Sequence, residues 1–294
     1  MDTTGPDGPV LVAVADPDHV QQLVRTAGDL ARYGPETVRI VTVVAKPHDS
    51  PFRVFADETI RREYAGESRA LVERARTPEG VAVEREVVVS SSVAKGILSA
   101  VDETDPTALV VGWQGRTRRS DAVLGTTVDR LVERAACDLY VERVGREADG
   151  VDSVLLPVAG GPHVGVAAAV AKAVAARNDA RVHLLSVATP ALGVDAAAGF
   201  LDGGRQAIAA APAPETPVET AVREADDVTA AVVAAAADHD VVVLGATRQG
   251  PLRRRLVGSV PRRVVGRTDR TVVLARDADV VGGPLGRLGG LLRR

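Results

Sequence analysis

"VLVAVA" at residues 10–15 returns 144 positions later as "VLLPVA" at residues 154–159, and "VRIVTVVAKP" from Val38 returns at the same interval as "VHLLSVATP" from Val182. Further along, Gly112 and Gly125 correspond to Gly245 and Gly258, an interval of only 133. About eleven residues are therefore missing from the middle of the second copy, in the region of its second helix. The chain is a tandem duplication whose halves meet near "GREADG", residues 145–150.

Within each copy, short valine-rich runs alternate with longer stretches of helical period, the pattern of strand and helix units in a parallel sheet. The first copy predicts strands at residues 10–14, 38–44, 81–88, 108–111 and 139–144. These runs are almost continuously apolar, as in a sheet covered by helices on both faces. The first helix, "DHVQQLVRTAGDLARYG", places Val20, Leu23, Val24, Ala27 and Leu30 on one stripe and offers Gly34 as its terminating glycine. The expected fold is α/β: two tandem, doubly wound, five-stranded parallel-sheet domains of Rossmann-like type. Ligands of such sheets sit at the carboxyl ends of the strands.

Composition narrows the class. At 294 residues, 46% of them hydrophobic, the chain can bury two cores, and its apolar runs fall short of a membrane span. The opening "MDTTGPDGPV" has no apolar run of the secretory kind, and a single cysteine, Cys137, fits a reducing compartment; the expected location is cytoplasmic. A net charge of −3 argues against duplex nucleic acid as the main partner. Lysine is scarce beside arginine, occurring only at positions 46, 95 and 172.

The stretch "VGWQGRTRRSDAVLGTTVDRL", residues 111–131, runs from the end of a buried strand to a helix with Val128, Leu131 and Val132 on its inner face. A helix start presents unpaired N–H groups and a positive dipole end, so Gly125, Thr126 and Thr127 suit a phosphate. Gly112 and Gly115 would admit a ligand close to the backbone, and Arg116, Arg118 and Arg119 add charge. Glycines at strand ends and threonines at helix starts are also common for structural reasons alone, and spacing does not choose between the two readings.

The same stretch, with glycines separated by two and then nine residues and followed by threonine, resembles the nucleotide-binding signature of the universal stress protein family. The resemblance extends over both halves and implies an adenine nucleotide alpha hydrolase-like fold, with the halves related by a pseudo-twofold. It implies ATP, with magnesium, in the first domain only. Val14, Ala15, Asp16, Val43, Val111, Gly112, Gly115, Arg116, Gly125, Thr126 and Thr127 would form that site, with backbone near Val43 against the adenine and the glycines and threonines on ribose and phosphates. Family members that bind ATP carry an acid directly after the first strand, where this chain has Ala15 followed by Asp16. Asp16 stands either as a substitute for that acid or as a cap for the helix that follows. The implied division is residues 1–147 with an intact loop, residues 148–278 with a degenerate one, and a tail at residues 279–294.

The second loop, "GATRQGPLRRRLVGSV", keeps Gly245, Gly258 and Ser259 but has Arg248 at the second glycine, and Ala159 replaces the acid. Arg248, Arg253, Arg254 and Arg255 form an anion or partner patch on one reading and a solvated loop on the other. The five histidines lack metal-ligand spacing, and His183 reads as structural. "VSSSVAK", residues 89–95, reads as a helix cap more readily than as a serine nucleophile, since no base can be named. Phe52, Phe55 and Tyr64 stand in the region that the second copy lacks, as core filling, a cover for the nucleotide or a contact surface.

Two functions follow. In one, the chain is an ATP-binding stress-response or signalling module. In the other it is a nucleotide-independent regulatory partner of a membrane transporter, because both loops also look similar to tandem domains associated with archaeal amino-acid and cation transporters. No enzyme activity beyond slow ATP hydrolysis is expected. Self-association through the last strands of the two domains is the further partner that the resemblance implies.

Overall fold

The computed structural model describes residues 8–47, 49, 51–114, 125–148, 150–246 and 258–280, and statements below refer to these. The chain divides into two compact units, one built from residues 8–113 and 125–140 and the other from residues 141–280.

In the first copy β1 (Val10–Ala13), β2 (Thr37–Ala45), β3 (Ala82–Ser90), β4 (Ala108–Trp113) and β5 (Asp138–Arg143), whose last three residues fall in the second unit, follow the order β3-β2-β1-β4-β5. Strand β1 pairs in parallel with β2 and β4, and β2 with β3. The valine-rich runs lie covered as their continuous hydrophobicity requires: Leu11, Val12, Ile40, Leu109 and Val110 have no exposed surface. Each such side chain contributes roughly 1.5–3 kcal/mol relative to an exposed one.

Helix α1 (Val20–Arg32) buries Val20, Leu23, Val24 and Ala27 as the 3.6-residue period predicts. Leu30 departs from that stripe and is only half-buried, while Ala31 is fully buried. Gly34 is not the left-handed terminator either. That conformation falls on Glu36, φ 56°, whose N–H donates to Ala31 O at 2.8 Å and whose carbonyl accepts from Ala82 N at 2.9 Å. Tethered to both α1 and β3, Glu36 is held where glycine would otherwise be favoured. Helix α4 (Val93–Thr104) starts at Ser92, whose hydroxyl accepts from Lys95 N at 3.4 Å, so the "VSSSVAK" serine is a cap.

The second unit repeats the order as β8-β7-β6-β9-β10, from β6 (Ser153–Pro157), β7 (Arg181–Ala188), β8 (Val218–Glu224), β9 (Val241–Gly245) and β10 (Thr271–Arg276). Strand β6 pairs in parallel with β7 and β9, β7 with β8, and β9 with β10. Its helices α6 (Val164–Asn178) and α8 (Val228–Ala236) are alanine-rich and buried around much of their circumference. The polar exception, Lys172 on α6, is buried, and its Nζ donates at 2.8 Å to Ala211 O at the end of α7 (Val194–Ala210), where helix carbonyls lack partners.

The difference in length between the copies lies between the second and third strands of each. The second unit spans that interval with α7 alone. The first uses a 3₁₀ turn (Pro51–Val54), α2 (Asp57–Thr59), a π-helical turn (Ile60–Tyr64) and α3 (Gly66–Glu73). Ile60 is fully buried and anchors this insert. Arg85 of β3 donates to Val72 O and Ala75 O, both at 3.0 Å, closing the carboxyl end of α3.

Candidate functional site

Ala13 lies opposite Val41 on one side and Val111 on the other. The chain leaving β1 therefore emerges between the ends of β2 and β4, and Val14 N still donates to Val41 O at 2.9 Å. By the same register Val14 is level with Gly112, and Ala15 with Val43. The sheet thus gathers Val14, Ala15, Val43, Val111 and Gly112 at its carboxyl edge. Val14 and Val111 are buried, Val43 and Gly112 half-buried, and Ala15 exposed. Trp113 is buried beside them.

Asp16 is engaged locally. Its carboxylate accepts from Asp18 N at 2.9 Å and lies 3.9 Å from His19 Nε2, closing the turn that leads into α1. The helix itself begins later, at Val20, with no side-chain cap from His19.

Helix α5 (Thr126–Arg134) follows β4 across residues 115–124, so Gly115 and Arg116 lie outside the described residues, as do Arg118 and Arg119. Gly125, at its start, has φ 92° and ψ 153°, a conformation almost confined to glycine. Its carbonyl accepts from Asp129 N at 2.9 Å, which begins the helix. No described residue lies within 4 Å of where a Cβ on Gly125 would stand, and Thr126 is exposed beside it. No side chain caps this helix start.

The second domain is built differently at the same edge. Arg248, Arg253, Arg254 and Arg255 lie outside the described residues. Gly258 has an ordinary φ of −58°, and α9 (Ser259–Val265) is short. Ser259 Oγ accepts from Arg263 Nη2 at 3.3 Å. Gly245 faces its own chain: a Cβ there would stand 3.2 Å from His163 Cβ, and His163 is buried with Nδ1 accepting from Asp277 N at 3.1 Å. After β6, Gly160 has φ 72°, and a Cβ on it would stand 2.9 Å from Cε1 of Phe200 on α7. In the second domain, then, Phe200 of α7 packs against the loop after β6 and His163 against the end of β9.

Two features escaped the sequence reading. Lys46, just past β2, donates from Nζ to Phe55 O at 2.6 Å and to Asp57 Oδ1 at 3.0 Å, tying the insert to the strand end. Beyond that tie, Tyr64 stacks at 5.3 Å on both Phe52 and Phe55, while Val54 is 83% exposed and Tyr64 48%. The aromatics therefore form a half-exposed cluster rather than core filling. Phe200 is the other omission, since a phenylalanine on an amphipathic helix carries no signal of which loop it meets. Cys137 is buried, and no group of three or more described His, Cys, Asp and Glu residues could hold a metal ion. No described helix is long and apolar enough to cross a membrane.

Two repeated doubly wound units, each with strand order 3-2-1-4-5, define a tandem α/β protein. The chain belongs to the universal stress protein family, whose domain matches residues 8–143 and 150–276. Among solved structures it is similar over 98% of its length to 99% of a Pseudomonas aeruginosa UCBPP-PA14 protein described as a universal stress protein, at 16% identity and TM-score 0.60. A universal stress protein from Archaeoglobus fulgidus DSM 4304 is similar over 93% of this chain and 98% of its own, at 14% identity and TM-score 0.60. The cytoplasmic domain of a prokaryotic cation chloride cotransporter aligns over 92% and 96%, at 11% identity and TM-score 0.52. At these identities the likeness is one of fold. No curated protein matches the chain by sequence.

Proposed function

We propose that the chain is an adenine-nucleotide-binding regulatory module in which the first domain, residues 1–147, holds the nucleotide and the second, residues 148–278, is its structural or regulatory mate. The observation that carries this reading is Gly125. It holds a glycine-only conformation at an uncapped helix start, with no described residue within 4 Å of where a side chain would begin. Thr126 and Thr127 would offer N–H groups and hydroxyls to phosphates there. Val14, Ala15, Val43, Val111 and Gly112, level at the strand ends, would bracket the nucleoside, with Gly115 and Arg116 completing the loop. Magnesium would enter on the phosphates of ATP. With the Asp16 carboxylate engaged by Asp18 N, ribose recognition would fall chiefly to backbone groups.

Titration calorimetry of magnesium ATP into the purified chain tests the proposal. Saturable binding near one nucleotide per chain, lost in a Gly125→Arg variant whose circular dichroism is unchanged, is the expected result. No heat up to about millimolar ATP, a free energy of only about 4 kcal/mol, would remove it.

One observation favours a second reading. Ala15 and Ala159 both lack the acid that ATP-binding relatives carry, and in the second domain Phe200 stands against Gly160. A chain that binds no nucleotide would act as a regulatory partner of a transporter, a role in keeping with its fold likeness to a cotransporter's cytoplasmic domain. Pull-down with a candidate transporter from the same membrane would then be the next experiment.

A further inference from the structure

At the amino edge of the second sheet, away from the strand ends just described, two histidines from distant parts of the chain meet. His183 lies on β7, and His239 lies in the corner, residues 237–240, that joins α8 to β9. Their ring centroids are 4.4 Å apart, tilted by 48°. His239 Nδ1 is buried with no hydrogen-bond partner among the described residues, whereas His183 Nδ1 lies 3.4 Å from Glu219 Oε2 on β8. Glu219 is itself paired with Arg181 at 3.1 Å.

The corner carries little else. Asp240 N donates to Ser153 O at 3.2 Å, and Asp240 Oδ2 accepts from Asp152 N and Ser153 N at 2.9 and 3.0 Å, tying the corner to the start of β6. Arg270, ahead of β10, donates to Ala237 O. The His239 ring lies against His183, and its buried Nδ1 makes no hydrogen bond among the described residues, so its neutral form is the one that fits.

We propose that the His183–His239 pair is a pH-sensitive latch: neutral His239 closes the α8–β9 corner against β7, and its protonation on acidification opens it. A positive charge on the half-buried His239 imidazole, whose Nδ1 is buried without a partner among the described residues and whose ring stands 4.4 Å from that of His183, is relieved by turning His239 out to water. Burial and His183 hold the His239 imidazole below its ordinary value, and Arg270 acts in the same sense, while Asp238 and Asp240 oppose them. Because the closed corner binds the proton less readily than the open one, its stability is complete above the ordinary imidazole value of about 6.5 and declines as the pH falls through that value.

Hydrogen–deuterium exchange of the full chain, corrected for intrinsic rate, at about pH 7.5 and about pH 5.5 tests the latch. Exchange of a peptide spanning residues 236–241 is expected to rise by roughly threefold or more on acidification in the wild type and to stay level in His239→Gln. A wild-type corner with unchanged protection, or an equal rise in the variant, overturns the proposal. A nuclear magnetic resonance titration of the wild-type histidine Cε1–H signals gives a second test that needs no variant. A His239 midpoint below the ordinary histidine value of about 6.5 is expected, and a midpoint at or above it overturns the proposal.

Discussion

Gly125, at the start of α5, and Gly160, just after β6, both hold positive φ, yet they meet different described surroundings. An alanine at position 125 would suffer the backbone strain, about 1–3 kcal/mol, and its methyl would meet no described residue. An alanine at position 160 would suffer the same strain and also push into the Phe200 ring at 2.9 Å. Gly160→Ala is therefore expected to lose more stability in urea unfolding than Gly125→Ala, and Phe200→Leu in the same chain should recover the excess but not the backbone part. Equal losses would show that the Phe200 ring yields without resistance.

At the scale of elements, the insert of residues 51–64 is the main departure of one copy from the other. It has a buried anchor in Ile60, and Lys46 ties it to the end of β2 through Phe55 O and Asp57. An ion pair whose carboxylate is 55% exposed adds about 1 kcal/mol at most, so the tie matters for local order more than for global stability. Lys46→Met is expected to speed limited proteolysis within residues 51–64 several-fold while shifting the urea midpoint little. Unchanged cleavage would mean that Ile60 and the Phe52–Tyr64–Phe55 stack hold the insert without the lysine. The helix ends obey local chemistry more closely: Ser92 caps α4 and Asp227 caps α8 by accepting from Thr229 N and Ala230 N at 2.8 and 3.1 Å. The Ala230 bond and then the Thr229 bond, with Arg263 and Arg267 nearby, hold the Asp227 carboxyl below the usual carboxylate value. Its contribution to folding is therefore present above that value and fades as the pH falls through the lower, folded one.

At the scale of the whole molecule, each unit has its own apolar centre, Leu11, Ile40 and Leu109 in the first and Leu155, Leu156 and Leu184 in the second. Leu155→Ala, which empties a position that is 1% exposed, is expected to cost about 2–5 kcal/mol by urea denaturation. A loss below about 1 kcal/mol would mean that the β6 neighbourhood collapses into the gap.

The duplication, the alternation of strand and helix, and the eleven-residue deficit of the second copy were all legible in the residues alone, because hydrophobic period and repeat spacing are local properties of a chain. Strand limits shifted by only a residue or two from those expected, since a buried parallel strand is marked along its whole length by valine, isoleucine and leucine. The gathering of Val14, Ala15, Val43, Val111 and Gly112 was likewise implied by the doubly wound order. Packing between distant segments decided the rest. Nothing local to Glu36 marks it as the left-handed residue in place of Gly34, nothing near Gly160 announces Phe200, and nothing around His183 announces His239. Each of these pairings depends on which faces meet once the helices cover the sheet, and burial and close contact become fixed only when the whole unit closes.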